Sequence, residues 1–222
     1  VLSAMYNKSW IDNLIRLIAY FGVVNPAFVF AVMFMLLFVY LWPIFPAVGR
    51  VSTDASLAQI TGMVTVDSLL RGDLSTFLDA LRHLILPATA LAMNGMAQQA
   101  RITRSSMVDN LGRDYVAMAT AQGINRSKIM FKYLLRPSLI PSISLLGLQI
   151  AALFSNAFLV ELIFNWPGLS RYGVNAMLQK DLNAVTAVVL VVGLVFVLAN
   201  IVTDIVVAML DPRIRLGAGR QT

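Results

Sequence analysis

Long apolar runs alternate with short polar connections along this chain. Residues 18–42 carry no charged side chain, and a helix of that length extends about 37 Å, enough to cross a hydrocarbon layer of about 30 Å with some tilt. Pro26 predicts a kink within this run, and Tyr40 and Trp42 are the aromatic residues expected at a membrane interface. The same pattern predicts three further spans, over residues 83–101, 138–160 and 183–210.

Four amide side chains lie within the predicted spans at helical spacing. Asn94 and Gln98 are four residues apart and Gln149 and Asn156 are seven apart, so each pair lies on one face of its helix. Polar groups at this depth must face protein or water. Two interpretations stay open, namely hydrogen bonds between helices and the lining of a solute pathway.

The composition agrees with a membrane protein built from helices. Of the 222 residues, 59% are hydrophobic and 13% are charged, which is about half the charged share of a soluble domain. The mean hydropathy is +0.78. We therefore predict an all-α, polytopic membrane protein.

The basic residues, which give a net charge of +6, concentrate in one connection. Residues 102–137 hold six of them, and the positive-inside rule places this connection in the cytoplasm. Because these bases lie beside apolar spans, they indicate contact with membrane lipid and argue against nucleic acid as a partner. The predicted organisation is a cytoplasmic lead-in (1–17), a transmembrane domain (18–216) with outer loops 43–82 and 161–182, and a C-terminal tail (217–222).

Several kinds of chemistry have no residues to carry them in the sequence. There is no cysteine, and His83 is the only histidine, so neither a thiolate nucleophile nor a site of clustered His and Cys metal ligands is expected. No Gly-x-x-x-x-Gly-Lys-Ser/Thr motif is present, so the chain is not expected to hydrolyse ATP. We predict no catalytic residues, no metal and no cofactor in this chain.

The stretch "DYVAMATAQGINRSKIMFKYLLRPSLIP" stands out in the predicted cytoplasmic connection. Ala117, Ala119 and Ala121 precede Gly123, a residue suited to the left-handed conformation that ends many helices. A basic amphipathic segment follows. This pattern predicts a compact helix whose small side chains would let a groove of another protein close around it, although an ordinary helix end in a loop has the same geometry.

This stretch resembles the "EAA" loop of ABC importer permeases, although Ala117 replaces the glutamate and "YLLR" (133–136) replaces the I-x-L-P ending. Longer stretches resemble the peptide/nickel subgroup, in particular the oligopeptide and dipeptide permease B subunits. They are "LLRGDL" (69–74), "RHLILPATALA" (82–92), "RITRSSMVDNLGRDYVAMATAQG" (101–123), "VELIFNWPGLSRYG" (160–173) and "LDPRIR" (210–215).

The resemblance implies a type I ABC importer transmembrane domain in a bacterial or archaeal cytoplasmic (inner) membrane. Such permeases usually have six spans, so two spans are expected before the four seen here. The implied partners are ATPase subunits that bind ATP and Mg, a second homologous permease subunit, and an extracytoplasmic substrate-binding protein. The implied substrate is a di- or oligopeptide, with nickel chelates, glutathione or another non-peptide solute as alternatives. From other classes, an ion-gradient-driven secondary transporter and an intramembrane enzyme are the alternatives.

The resemblance also assigns roles to residues. A coupling helix at about 114–123 would dock on the ATPase, and Trp166, Pro167 and Gly168 would lie near the outer mouth of the pathway, unless they form only an outer-surface turn. The amides at 94, 98, 149 and 156 remain possible pathway-lining residues. The expected ATPase-coupling residues are Asp114, Tyr115, Ala119, Ala121, Gly123, Ile124, Arg126 and Lys128.

Overall fold

The computed structural model describes residues 2–52 and 60–210, and this part of the chain contains helices and no strand. The predicted cytoplasmic end at "LDPRIR" lies outside the described residues from Asp211 onward. The helices are α1 (Leu2–Met5), α2 (Trp10–Val24), α3 (Ala27–Met35), α4 (Val64–Leu70), α5 (Leu74–Leu111), α6 (Asp114–Ala121), α7 (Arg126–Lys128), α8 (Arg136–Ser138), α9 (Ile140–Ser144), α10 (Leu146–Ile163), α11 (Leu169–Leu178) and α12 (Leu182–Leu210).

Two segments wind more widely than an α-helix. Helix α3 continues as a π-helical segment over Leu36–Leu41, and α7 continues as another over Ile129–Leu135. The second is followed directly by α8 and α9, which contain Pro137 and Pro141. Proline cannot donate a backbone hydrogen bond, and the region between 126 and 145 is accordingly a series of short helical pieces.

The chain divides into two compact units. Unit 1 contains residues 1–24, 95–152 and 192–222, and unit 2 contains residues 25–94 and 153–191. The lead-in and the connection predicted to be cytoplasmic both belong to unit 1. The two loops predicted to be outside both belong to unit 2.

Unit 1 has a buried apolar cluster beneath the C-terminal end of α5. Its buried members are Ala4, Met107, Val116, Ala119, Ile129, Met130 and Leu134. Polar side chains hold α5 to the segments that follow it, since Thr103 and Ser142 hydroxyls lie 2.6 Å apart and Asn110 donates a 3.0 Å hydrogen bond to Ser138 Oγ. Four separate stretches of sequence therefore meet in this unit.

Unit 2 has its own cluster around Phe30, Leu86, Val160 and Phe164. Phe30, Phe34 and Phe38 follow one another at i, i+4 along one face, with ring centroids about 6 Å apart. Small residues allow the neighbouring helices to come close. They are the fully buried Ala27, Ala31 and Ala90.

Two of the described helices, α10 and α12, are long and apolar enough to cross a membrane. The pair α2 and α3, extended to Leu41, counts as a third span only if the two are taken together. The kink predicted at Pro26 is thus a break, because α2 ends at Val24 and α3 begins at Ala27. The predicted span 83–101 lies within α5. Because of its polar residues, α5 is not among the described helices that are apolar enough to cross a membrane.

The boundaries of the predicted cytoplasmic connection need correction. Helix α5 runs without interruption to Leu111, ten residues into the segment 102–137 that was predicted as a connection. Met107 is fully buried and Leu111 packs on the same cluster, so apolar contacts extend the helix past the predicted end of the span. The predicted span 138–160 is also interrupted, with α10 beginning only at Leu146.

Candidate functional site

Helix α6 is the predicted coupling helix, and its two ends follow from local sequence. Asp114 lies in the first turn, where a negative charge is favourable beside the helix N-terminus. At the other end the backbone N–H of Ile124 donates to Ala119 O at 3.2 Å and that of Gly123 donates to Thr120 O at 3.0 Å. This is a Schellman ending, and Gly123 takes the required left-handed conformation with φ +70°.

One face of α6 anchors it to the protein. Val116 and Ala119 are buried against Ala4 and Met107, and the π-helical segment Ile129–Leu135 completes the contact. Ile124 packs against the same cluster immediately after the turn. Helix α6 therefore rests on α1, on the end of α5 and on the segment that follows α7.

An adjoining face of α6 is exposed. Tyr115 and Met118 are three residues apart, on adjoining turns, with 40% and 64% of their surfaces accessible. Partial burial raises the pKa of the Tyr115 phenol, so this side chain is neutral at pH 7. Asp114 and Ala121 are exposed beside this pair. The arrangement presents an apolar surface with an acidic edge.

The structure separates the predicted coupling residues into two groups. Ala119, with 4% of its surface exposed, and the half-buried Ile124 face the interior of their own unit, so their side chains support the helix instead of presenting a surface. Sequence reasoning omitted Met118, which its spacing from Tyr115 would have indicated. The exposed members of the predicted set are Asp114, Tyr115, Ala121, Gly123, Arg126 and Lys128.

The basic residues after α6 are exposed as well. Arg126 donates through Nη2 to the main-chain oxygen of Met5 at 3.4 Å, so it ties α7 to the end of α1. Asn125 accepts a hydrogen bond from Ser127 N at 2.9 Å and thereby caps the start of α7. Lys128 is exposed beyond them.

A buried ion pair, also missed by sequence reasoning, lies in the same unit. Arg104 of α5 donates to Asp12 of α2 through Nε and Nη2, each at 2.6 Å, and Asp12 is fully buried. Ser3 Oγ and Lys8 N also donate to this carboxylate. A lone acid near the start of an apolar helix was the only sequence signal, and it did not indicate which of many bases would pair with it.

The amides predicted in the spans fall in different units. In unit 1, Gln149 accepts a 2.9 Å hydrogen bond from Gln99 Nε2, and Gln98 accepts one of 3.1 Å from Arg101. Asn94 and Asn156 belong to unit 2, and each has an interaction partner. The contact of Gln149 favours the structural interpretation for this residue.

The chain was compared with known proteins. Residues 1–216 match the family of binding-protein-dependent transport system inner membrane components. The chain belongs to this family.

Curated relatives of this family member include peptide permeases. It is 35% identical over 218 residues to the dipeptide transport system permease protein DppB of Escherichia coli strain K12, a match that covers 97% of this chain and 64% of that protein. It is 37% identical to the probable D,D-dipeptide transport system permease protein DdpB of the same strain, covering 99% and 65%. The putrescine export system permease protein SapB of that strain is 31% identical, covering 96% and 67%.

The match spans less than two thirds of the length of the first two relatives. The family assignment agrees with the all-α fold and with its apolar helices, so the chain is a multi-pass inner-membrane protein with the fold of a type I importer transmembrane domain. The recognition of the family from the five sequence stretches is confirmed.

In this family member the predicted outer-mouth residues form a turn held by Glu161. The main-chain N–H of Trp166 donates to Glu161 O at 2.8 Å, and the Glu161 carboxylate accepts a 2.9 Å hydrogen bond from Arg171 N in the first turn of α11. That carboxylate lies against Gly168, where a Cβ atom would come within 2.3–2.5 Å of it. Arg50 also donates to the main-chain oxygen of Pro167. An alanine at position 168 would therefore displace the Glu161 carboxylate.

A second acid organises the loop of unit 2 before α4. The buried Asp67 accepts hydrogen bonds from the main-chain N–H groups of Ile60, Thr61 and Gly62 and from Thr61 Oγ1. The Thr61 hydroxyl is the main cause that holds the pKa of Asp67 below its usual range. Within the described residues, no three His, Asp or Glu side chains are grouped as ligands for a metal ion.

Proposed function

We propose that this chain is a transmembrane permease subunit of an ATP-driven importer. The solute, a di- or oligopeptide, would be delivered by an extracytoplasmic binding protein and would pass through a pathway formed with a second permease subunit. Separate ATPase subunits, which would bind ATP and Mg, would drive the alternation between inward- and outward-facing states. Family membership favours this function over an ion-gradient-driven transporter.

The choice of peptide rests on the relatives. Two of those compared are named for dipeptides or D,D-dipeptides, and the di/tripeptide transport system permease protein DppB of Pseudomonas aeruginosa strain UCBPP-PA14 is also 35% identical. The relative named for putrescine export keeps a non-peptide solute as the second candidate. Uptake assays with labelled dipeptides, in competition with tripeptides, glutathione and polyamines, would decide between the two.

The observation that carries the coupling role is the two-sided construction of α6. Val116 and Ala119 fix the helix to buried parts of unit 1, whereas Tyr115 and Met118 are exposed, with 40% and 64% of their surfaces accessible. A helix anchored in this way moves with α1 and α5, so a push on its outer face would be passed on to them as a rigid-body motion. An exposed apolar pair on a short helix is also suited to insertion into a groove of another protein.

A matched pair of substitutions tests this proposal. Met118→Glu places a charge on the exposed face of α6, and Met177→Glu places the same charge at a similarly exposed position of α11, with accessible fractions of 64% and 54%. We expect Met118→Glu to reduce co-purification of the ATPase subunits and solute uptake at least tenfold, because burying an unpaired charge in an interface is costly. Met177→Glu should leave ATPase association unchanged.

The outcome that contradicts the proposal is equally defined. If the Met118→Glu permease binds the ATPase subunits and supports uptake as the parent does, α6 is not the coupling helix. If both variants lose ATPase association, the effect is not specific to α6. Membrane insertion and monodispersity of each variant, measured in detergent, exclude a folding defect as the cause.

A further inference from the structure

A cavity of about 850 Å³ lies in unit 1 beside α2 and the middle of α5. Its apolar wall includes Ile15, Ala19 and Tyr20 on successive turns of α2. Its polar wall holds three guanidinium groups, those of Arg16, Arg101 and Arg104. The lining of the cavity therefore combines apolar side chains with guanidinium groups.

The Asp12 carboxylate, which binds Arg104 beside this cavity, already accepts a full set of hydrogen bonds. Asp12 accepts four hydrogen bonds, two from Arg104, one from Ser3 and one from the main chain of Lys8, which matches the number of lone pairs on a carboxylate. Its negative charge therefore compensates the positive charge of Arg104, and it has no free lone pair to accept a hydrogen bond from a second arginine. Arg16 Nε lies 3.8 Å from Asp12 Oδ2, beyond hydrogen-bond distance.

Two of the three arginines thus lack a hydrogen-bonded acid among the described residues. Arg16 Nε is buried with no hydrogen-bond acceptor, and its Nη2 donates only to the neutral amide of Asn13. Arg101 likewise donates to a neutral partner, Gln98, at 3.1 Å. Arg101 is exposed and 42% of the Arg16 side chain is exposed, so the accessible ends of both guanidinium groups are available to a ligand that brings anionic oxygens.

The position of the arginines along the chain indicates what kind of anion that is. Arg16 is the last charged residue before the uncharged run 18–42, and Arg101 ends the predicted span 83–101. Both lie at the predicted boundary between the apolar layer and the cytoplasm. Anionic lipid phosphates lie at the same level and attract arginines there, and guanidinium pairs with phosphate oxygens through two parallel hydrogen bonds.

We infer that this cavity binds an anionic phospholipid of the inner leaflet. The phosphate lies between Arg16 and Arg101, and an acyl chain lies along Ile15, Ala19 and Tyr20. A zwitterionic lipid fits less well because its ammonium group meets the same cationic wall. Arg104 keeps its place by the ion pair with Asp12 and is not itself the primary phosphate contact.

The test uses the complete transporter purified in detergent and measures lipid retention by native mass spectrometry. The probes are phosphatidylglycerol and phosphatidylcholine with identical acyl chains, and inorganic phosphate serves as a head-group competitor. We expect preferential retention of phosphatidylglycerol. Arg16→Gln or Arg101→Gln should weaken it about fivefold each, and the double variant roughly 25-fold, because an arginine near the membrane surface contributes about that factor.

Two further variants separate the contribution of the two arginines from that of other bases and from that of the apolar wall. Arg136→Gln removes an exposed base elsewhere in unit 1 and should leave phosphatidylglycerol retention unchanged. Ala19→Leu narrows the apolar wall without altering charge and should weaken retention of both lipids. Equal retention of the two lipids by the parent overturns the inference, as does retention that is insensitive to the arginine variants. Displacement by millimolar inorganic phosphate would identify a free-anion site and would also overturn it.

Discussion

Arg104 and Asp12 are 92 positions apart in sequence and are joined by two hydrogen bonds of 2.6 Å, with the carboxylate fully buried and 20% of the Arg104 side chain exposed. The planar guanidinium matches both carboxylate oxygens, a geometry that lysine cannot reproduce. The pair links α2 to α5 one turn before Met107, which supports α6. The ion pair and helix α6 are therefore parts of one compact unit.

Removing one member of this pair should destabilise the protein. Asp12→Asn leaves the Arg104 charge without its acid, and we expect a loss on the order of 3 kcal/mol in the free energy of unfolding. Asp109→Asn, at an exposed position of α5 with no ion pair, is the matched control. Thermal unfolding of the detergent-solubilised chain measures both, and equal melting temperatures for the two variants would contradict the buried role of Asp12.

Alanine at position 168 should cost more stability when Glu161 is present than when it is absent. In the parent, an added Cβ displaces the Glu161 carboxylate and breaks its hydrogen bond with Arg171 N, at a cost of about 1 kcal/mol. In a Glu161→Ala background the same substitution should cost a few tenths of a kcal/mol. A double-mutant cycle of unfolding free energies tests this, and additive effects would show that the two residues do not interact.

Two glycines of unit 1 should respond in opposite ways to alanine. At Gly147 an added Cβ would lie 2.4 Å from Asn200 Oδ1 and 3.3 Å from its Cα, so α10 and α12 must separate, which costs about 1–3 kcal/mol. At Gly193 in α12 an added Cβ meets nothing within 4 Å, and alanine should stabilise the helix by up to about 1 kcal/mol. The expected order of melting temperatures is Gly193→Ala, parent, Gly147→Ala, and any reversal contradicts the packing described.

Acid should loosen the start of α5 through Asp73. Hydrogen bonds from the Thr76 and Ser75 hydroxyls lower the pKa of this carboxyl from 3.8 to about 2. Because folding lowers the pKa, the carboxylate stabilises the folded chain above pH 3.8 and loses that contribution as the pH falls towards 2. The protection of residues 74–80 against hydrogen exchange, relative to the intrinsic rate at each pH, should therefore fall between these pH values.

Asp73→Asn is the control for this pH dependence. The amide cannot titrate, so exchange at the start of α5 should be faster than in the parent at pH 5 and should change less between pH 4 and pH 2, once the intrinsic exchange rate is corrected. An unchanged profile would mean that another group governs acid sensitivity there. Far-UV circular dichroism at each pH verifies that the rest of the helices persist.

The local sequence was sufficient to predict helix α6 and its C-terminal end, and insufficient to predict which of its side chains are buried. The alanine-rich stretch before Gly123 predicted a helix ending in a left-handed residue, and the structure has that helix and φ +70° at that glycine. Whether Ala119 faced a partner or the interior could not be read from the same stretch. Its burial depends on Ala4 and Met107, which are distant in sequence.

The extents of the helices show the same division between local and distant effects. The apolar run 183–210 predicted α12, which begins one residue earlier, at Leu182, and is described as far as Leu210. The length of helix α5 was underestimated because its last ten residues are polar on one side and pack on the buried cluster through Met107, Val108 and Leu111 on the other. Hydropathy averages the two sides of a helix, whereas packing depends on one of them.

The two faces of α6 are free to diverge at different rates. Changes at Val116 or Ala119 disturb a cluster shared by four chain segments, so selection for folding restricts them. Tyr115, Met118 and Gln122 are exposed and are not members of that cluster. Substitutions at these three positions can therefore change the chemistry of the exposed surface while the buried contacts that hold the helix stay the same.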